Sequence, residues 1–141
     1  MSDDLRLLHT MIRVKDVDAS LSFYCDQLGM VVRRRADYEE GRFSLIYLGY
    51  EDETEGAVLE LTHNWDQGDD YSHGSGYGHI AIGADDIHGL CAKLQGAGVN
   101  VTRAPGPMAN PDGQTSIEIA FIEDPDGYKI ELIQYPFPPN T

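Results

Sequence analysis

The sequence contains one pattern of residues twice, and this duplication restricts the fold to two equivalent modules. In each copy, a histidine among aliphatic residues is followed about fifty residues later by a glutamate in a second aliphatic segment. The two pairs are His9 with Glu60 and His79 with Glu131. Because side chains alternate between the two faces of a strand, each of these residues points away from its apolar neighbours. The pattern therefore predicts that histidine and glutamate share one sheet face in each module.

The same order of elements is predicted in both modules: a strand, a helix and three further strands. Asp16 or Asp18 caps the first helix and Gly29 ends it, while Asp85 and Asp86 cap the second. The predicted strands cover residues 7–14, 30–36, 43–49 and 57–63 in the first module, and 77–83, 99–103, 115–122 and 128–135 in the second.

The predicted fold class is α+β, with two βαβββ modules whose curved sheets carry the helices on their outer face. We expect a single domain over residues 1–141, made of module 5–66 and module 77–135 joined by the Gly-, Asp- and Ser-rich loop 64–76. A second loop, rich in proline and glycine, is predicted over residues 104–114. One helix covers only one face of each sheet, and the face with histidine and glutamate is the one left uncovered.

The charge of the chain limits its partners. The formal net charge is −14 and the isoelectric point is near 4.4. Nucleic acids and anionic membrane surfaces require clustered basic charge, so neither is an expected partner. No apolar run approaches the roughly 18 residues that span a bilayer, and the N-terminus is acidic rather than basic. We therefore expect a cytoplasmic protein.

Two imidazoles and two carboxylates on uncovered sheet faces predict a divalent metal site. A single strand histidine is more often a structural residue, and a single strand glutamate usually faces solvent. Four such groups at matched positions would repel one another or be strained without a cation. This donor set suits Zn, Ni, Co, Fe or Mn, and it suits copper(I) poorly. If water or substrate oxygens complete the shell, chemistry would occur at those open positions.

Five segments of the chain resemble the glyoxalase I family of lactoylglutathione lyases, in the vicinal oxygen chelate superfamily. The similarity extends over essentially residues 5–135. The family's βαβββ modules agree with the predicted order of elements, and its four metal ligands fall on His9, Glu60, His79 and Glu131. The segments that carry the resemblance are residues 8–14, 23–24 with 28–30, 59–62 with 64–65, 77–81 and 123–132.

The resemblance implies a homodimer in which metal sites form at the interface. His9 and Glu60 of one chain, with His79 and Glu131 of the other, would hold each metal. The implied reaction isomerises the hemithioacetal of methylglyoxal and glutathione to S-D-lactoylglutathione through an enediolate. By family likeness Glu131 is the catalytic base and Glu60 its pseudo-symmetric catalytic partner, although the sequence alone does not distinguish them. In its short length the chain resembles the nickel- or cobalt-activated bacterial members of the family, so the resemblance implies one of these metals rather than zinc.

The resemblance also implies contacts with the glutathione portion of the substrate. Arg13 and Asn64 match positions that hold the glutamyl group, and a guanidinium suits bidentate binding of a carboxylate. His79 is also expected beside the substrate. Relatives place a basic residue before the penultimate strand for the glycyl carboxylate, whereas residues 108–116 contain none. Arg103 or backbone amides of this loop could replace it.

Three alternatives stay open. An extradiol-type dioxygenase or a thiol transferase on the same modules typically uses three protein ligands, so the fourth ligand counts against it. A metal-free binding module would place aromatic or apolar residues where the four ligands stand. An acyl-CoA epimerase would use similar carbon-acid chemistry, but Arg13 and Asn64 favour the glutathione conjugate.

Overall fold

The computed structural model describes residues 4–109, 111–113 and 116–137. The chain divides into two compact units, with the boundary between Ser72 and His73. This boundary falls inside the segment that the sequence indicates as the loop between modules. Each unit contains a four-stranded sheet and follows the predicted order of a strand, a helix and three strands.

The elements of the first unit are β1 (His9–Arg13), α1 (Val17–Leu21), β2 (Val31–Tyr38), β3 (Phe43–Gly49) and β4 (Val58–Asn64). Its sheet has the order β1-β4-β3-β2, with β1 parallel to β4 and the other pairs antiparallel. Helix α1 is followed directly by a π-helical segment, Ser22–Gln27.

The helical region of the first unit, α1 with the π-helical segment, begins and ends where local chemistry predicts. The Asp16 carboxylate accepts a hydrogen bond from the Ala19 amide at 3.1 Å, and Asp18 adds acidic charge to the first turn. Gly29 follows the π-helical segment with a φ of +77°, a left-handed conformation that glycine adopts without strain. The periodicity of the sequence located the helical region but did not predict its π-helical second half.

The elements of the second unit are β5 (Ile80–Ala84), α2 (Ile87–Gly96), β6 (Val101–Ala109), β7 (Ser116–Glu123) and β8 (Lys129–Gln134). The unit has the same topology as the first, with sheet order β5-β8-β7-β6 and β5 parallel to β8. The Asp86 carboxylate caps α2 by accepting a hydrogen bond from the Gly89 amide at 3.0 Å.

Two predicted boundaries in the second unit are wrong. Strand β5 begins at Ile80, so His79 immediately precedes the strand instead of lying within it. The loop predicted from residue 104 begins later, because β6 continues to Ala109. Strand β6 lies at the sheet edge, where prolines can be tolerated, and its pairing with β7 contains register shifts. Of the predicted loop, Asn110 and Gln114 lie outside the described residues.

Alternation of side chains separates a buried face from an accessible face in both units. Ile12, Leu59 and Leu61 are buried in the first unit, whereas His9 and Arg13 are exposed. In the second unit α2 contacts β6, β7 and β8.

Within the described residues, no helix is both long and apolar enough to cross a membrane.

Candidate metal centre

The first unit brings His9 and Glu60 together, as their positions on adjacent strands predict. His9 opens β1 and Glu60 lies in the parallel neighbour β4. His9 Nε2 is 3.4 Å from Glu60 Oε2. The His9 side chain is 36% exposed and the Glu60 side chain 11% exposed, so the pair joins a nearly buried carboxylate to an accessible imidazole.

Tyr47 supports this pair from the adjacent strand β3. It lies directly opposite Glu60 in the antiparallel register, and its ring meets the His9 ring edge-on at 5.6 Å between centroids. Burial raises the pKa of the Tyr47 hydroxyl, and the charge of Glu60, whose carboxylate accepts from that hydroxyl, raises this pKa further. Arg34 opposes this shift; its guanidinium carbon lies 3.7 Å from the centroid of the Tyr47 ring. Tyr47 therefore stays a protonated donor beside Glu60.

The second unit contains the equivalent pair. His79, just before β5, places Nε2 at 3.1 Å from Oε1 of Glu131 in the parallel neighbour β8. Their side chains are 44% and 13% exposed, which resembles the first pair. The duplication of the sequence is thus also a duplication of geometry.

Phe121 occupies the position in the second unit that Tyr47 occupies in the first. It lies opposite Glu131 in register, and its ring meets the His79 ring edge-on at 5.4 Å between centroids. Arg103 lies opposite Phe121. Its guanidinium donates hydrogen bonds to the backbone carbonyl of Ile119 at 2.9 Å and to that of Pro107 at 3.2 Å. In the structure Arg103 therefore secures the irregular edge strand.

The chemistry of the donors fits a divalent metal. Each unit presents one imidazole nitrogen beside one carboxylate oxygen, and these are ligands that Ni, Co and Zn accept. Among the described residues, no group of three or more His, Cys, Asp or Glu side chains clusters closely enough to hold a metal ion. Each pair by itself is therefore half of the predicted four-ligand set.

Arg13 and Asn64 lie toward one end of the first sheet. Arg13 ends β1 opposite Thr62, and Asn64 lies two residues further along β4. Both continue the alternation that places His9 and Glu60 on one face. The Asn64 amide donates a hydrogen bond to the Tyr71 hydroxyl at 3.0 Å, which orients it.

Tyr47, Phe121 and Arg34 are the residues of this region that sequence reasoning missed. A signal was present, because Tyr47 and Phe121 occupy equivalent positions in the third strand of each module. Their significance depends on the strand register, which places each ring directly opposite a glutamate. The histidine and glutamate pattern alone contains no such information.

Comparison with known proteins identifies the family. The model of the Glyoxalase/Bleomycin resistance protein/Dioxygenase superfamily matches residues 6–132. The chain belongs to this superfamily. The family membership and the α+β fold of two βαβββ modules, both expected from the sequence, are confirmed.

Similar members of the superfamily include curated lactoylglutathione lyases. The probable lactoylglutathione lyase of Synechocystis sp. is 58% identical over 128 residues, which cover 91% of this chain and 94% of the relative. The lactoylglutathione lyase of Neisseria meningitidis serogroup A is 55% identical over 130 residues, which cover 92% of this chain and 91% of the relative.

Solved structures of glyoxalase I are also similar. The trypanothione-dependent glyoxalase I of Leishmania major is 42% identical with a TM-score of 0.78, covering 92% of this chain and 86% of that one. Glyoxalase I from Zea mays is 39% identical with a TM-score of 0.83. The match covers 92% of this chain and 44% of the maize chain, so this protein spans less than half of the maize protein.

Proposed function

We propose that this protein is a metal-dependent lactoylglutathione lyase, which converts the hemithioacetal of methylglyoxal and glutathione into S-D-lactoylglutathione. The observation that carries the proposal is the matched pair of histidine and glutamate on equivalent sheet positions of the two units, with separations of 3.4 and 3.1 Å. Relatives that bear this name at 58% and 55% identity, over more than nine-tenths of both chains, support it.

The reaction moves hydrogen within one molecule and needs no co-reactant. A proton leaves the carbon that carries sulfur and a proton is added to the neighbouring carbon. The hydroxyl on the first carbon loses its proton and becomes the thioester carbonyl, while the ketone oxygen on the second carbon gains one and becomes the hydroxyl of the product. The protein must therefore supply a base next to the carbon acid and return the proton to the adjacent carbon. A bound divalent metal supplies Lewis acidity for the oxygens on which negative charge develops.

Glu131 is the proposed base, with Glu60 as its counterpart. Both carboxylates are nearly buried, at 13% and 11% exposure of the side chain, which limits competition from water. Each lies beside an imidazole that can orient it by donating a hydrogen bond. A carboxylate in this position can accept the proton from the first carbon and deliver it to the second.

The protein is proposed to act as a cytoplasmic homodimer with nickel or cobalt at the interface. Each unit carries one pair of ligands, and the described residues contain no cluster of three. A complete set of four therefore requires two pairs. His9 and Glu60 of one chain would combine with His79 and Glu131 of the other, so that each dimer holds two metals.

Arg13 and Asn64 are proposed to bind the glutamyl portion of glutathione, since both continue the face that carries His9 and Glu60. A guanidinium binds a carboxylate through two parallel hydrogen bonds, which fixes the orientation of the substrate. Arg103 is the proposed contact of the glycyl carboxylate. Its guanidinium already donates hydrogen bonds to two backbone carbonyls, so the carboxylate would bind the N–H donors that remain.

The test is turnover by metal-stripped protein after separate addition of nickel, cobalt and zinc. We expect thioester formation, followed by ultraviolet absorbance, with nickel or cobalt. His9→Ala and His79→Ala should lose tight metal binding. His88→Ala is the matched control, because His88 forms a surface pair with Glu118 at 3.0 Å in the second unit and should leave metal binding unchanged.

The outcomes separate the parts of the proposal. Restoration by zinc alone would refute the metal class but keep the reaction. Tight metal binding without turnover of the glutathione hemithioacetal would refute the substrate, and trypanothione and acyl-CoA substrates would then be tested. Turnover by the fully metal-free protein would refute metal dependence.

A further inference from the structure

Each candidate glutamate ends a row of three side chains that lie opposite one another on neighbouring strands. The two rows have the same residue types except that one contains tyrosine and the other phenylalanine, a difference of one hydroxyl oxygen. Across β2, β3 and β4, Arg34 lies opposite Tyr47, and Tyr47 lies opposite Glu60. Across β6, β7 and β8, the row is Arg103, Phe121 and Glu131. Both aromatic rings also contact the histidine of their unit edge-on. The tyrosine hydroxyl is thus the polar group that one glutamate has opposite it and the other lacks.

Tyr47 is itself firmly held. The residue is only 5% exposed, and the Arg34 guanidinium covers its ring. Arg34 is fixed from its other side by Glu53, whose Oε2 accepts a hydrogen bond from Nε at 2.7 Å. A hydroxyl with so little freedom can restrict the carboxylate that lies opposite it.

We propose that Tyr47 is a positioning residue, which holds the Glu60 carboxylate as a fixed ligand and thereby leaves proton transfer to Glu131. This inference rests on the proposed function, since it assigns unequal roles to the two glutamates of that site. In this role the hydroxyl of Tyr47, directly opposite Glu60 in the sheet register, donates to one lone pair of the carboxylate and restrains its rotation. Phe121 offers no donor, and within the part of the chain that the structure describes His79 is the polar partner of Glu131.

The first test measures nickel binding to metal-free protein by calorimetry, without substrate. Tyr47→Phe removes only the hydroxyl, and we expect nickel affinity to fall about tenfold, as is typical when a partner of a ligand is lost. Tyr38→Phe is the matched control, because Tyr38 is an exposed tyrosine on β2 whose ring stacks on Phe43. Wild-type nickel affinity in Tyr47→Phe would overturn the positioning role.

The second test asks whether releasing Glu60 lets it replace Glu131. Glu131→Gln should retain little turnover, and adding Tyr47→Phe should raise that residual kcat severalfold because Glu60 becomes free to move. Phe121→Tyr should act in the opposite sense, lowering kcat about tenfold with little change in KM, since it introduces a donor opposite Glu131. Equal residual kcat for Glu131→Gln with and without Tyr47→Phe would refute the assignment of unequal roles.

The two tests distinguish failure of this inference from failure of the proposed function. If the wild-type protein binds nickel but does not turn over the hemithioacetal, the proposed function fails. A loss of nickel affinity in Tyr47→Phe would then still establish that Tyr47 positions Glu60. If turnover is normal and Tyr47→Phe binds nickel like the wild type, the function stands and this inference fails.

Discussion

Asp124 stabilises the turn that leads into β8, and its removal should destabilise the second unit measurably. The residue is 5% exposed, and its Oδ1 accepts hydrogen bonds from the amides of Asp126 at 2.8 Å and Tyr128 at 2.9 Å. Gly127 completes the turn with a φ of +85°. Strand β8, which carries Glu131, begins at Lys129.

The expected cost follows from these two bonds. A hydrogen bond to a charged group contributes about 1.5–3 kcal/mol net, so Asp124→Ala should lower the free energy of unfolding by at least about 3 kcal/mol. For a protein of this size the midpoint of thermal unfolding should fall by about 9 °C. Asp124→Asn keeps an oxygen at the Oδ1 position and loses the charge, so we expect a cost of about 1 kcal/mol.

The assay is thermal and urea unfolding of the metal-free wild type and both variants, followed by circular dichroism. Measuring metal-free protein avoids stabilisation of the folded state by bound metal. Asp124→Ala within about 1 kcal/mol of the wild type would refute the reasoning. Equal losses in the alanine and asparagine variants would show that charge, and not the acceptor at Oδ1, stabilises the turn.

Three further predictions concern catalysis, assembly and pH. Glu131→Gln should nearly abolish turnover while circular dichroism shows a folded protein, and substantial remaining turnover would exclude Glu131 as the base. His9→Ala and His79→Ala should each be inactive alone. If the ligands of each site come from two chains, a re-associated equal mixture should recover about a quarter of wild-type turnover, because half of the dimers are mixed and each of these has one intact site of two. No recovery would place all four ligands in one chain. Burial, aided by the charge of Asp124, raises the pKa of Tyr77 from 10.0 to about 12. Because the pKa of Tyr77 is higher in the folded protein than in the unfolded chain, the contribution of this residue to stability is complete below pH 10 and is lost between pH 10 and 12. The difference in unfolding free energy between the wild type and Tyr77→Phe should therefore shrink between pH 10 and 12 and stay constant below pH 10.

Much of the fold could be predicted because its signals are local. Asp16 and Asp86 were expected to cap helices, and both accept the hydrogen bonds that caps accept. Strand β3 was predicted with its observed bounds, Phe43–Gly49. The errors lie where tertiary context overrides local preference. The prolines of β6 indicate a loop, but an edge strand leaves backbone amides unpaired and can therefore include them.

The sequence by itself determined which residues pair in each unit and which donor atoms they provide. Two copies of one pattern of histidine and glutamate required two equivalent sheet positions, and the alternation of strand side chains selected the face. Only the tertiary structure decided that the two glutamates have different neighbours. Strand register places Tyr47 opposite Glu60 and Phe121 opposite Glu131, and register depends on hydrogen bonds between paired strands, which the alternation of side chains along one strand does not specify. A single hydroxyl, located by that register, breaks a symmetry that the sequence pattern leaves intact.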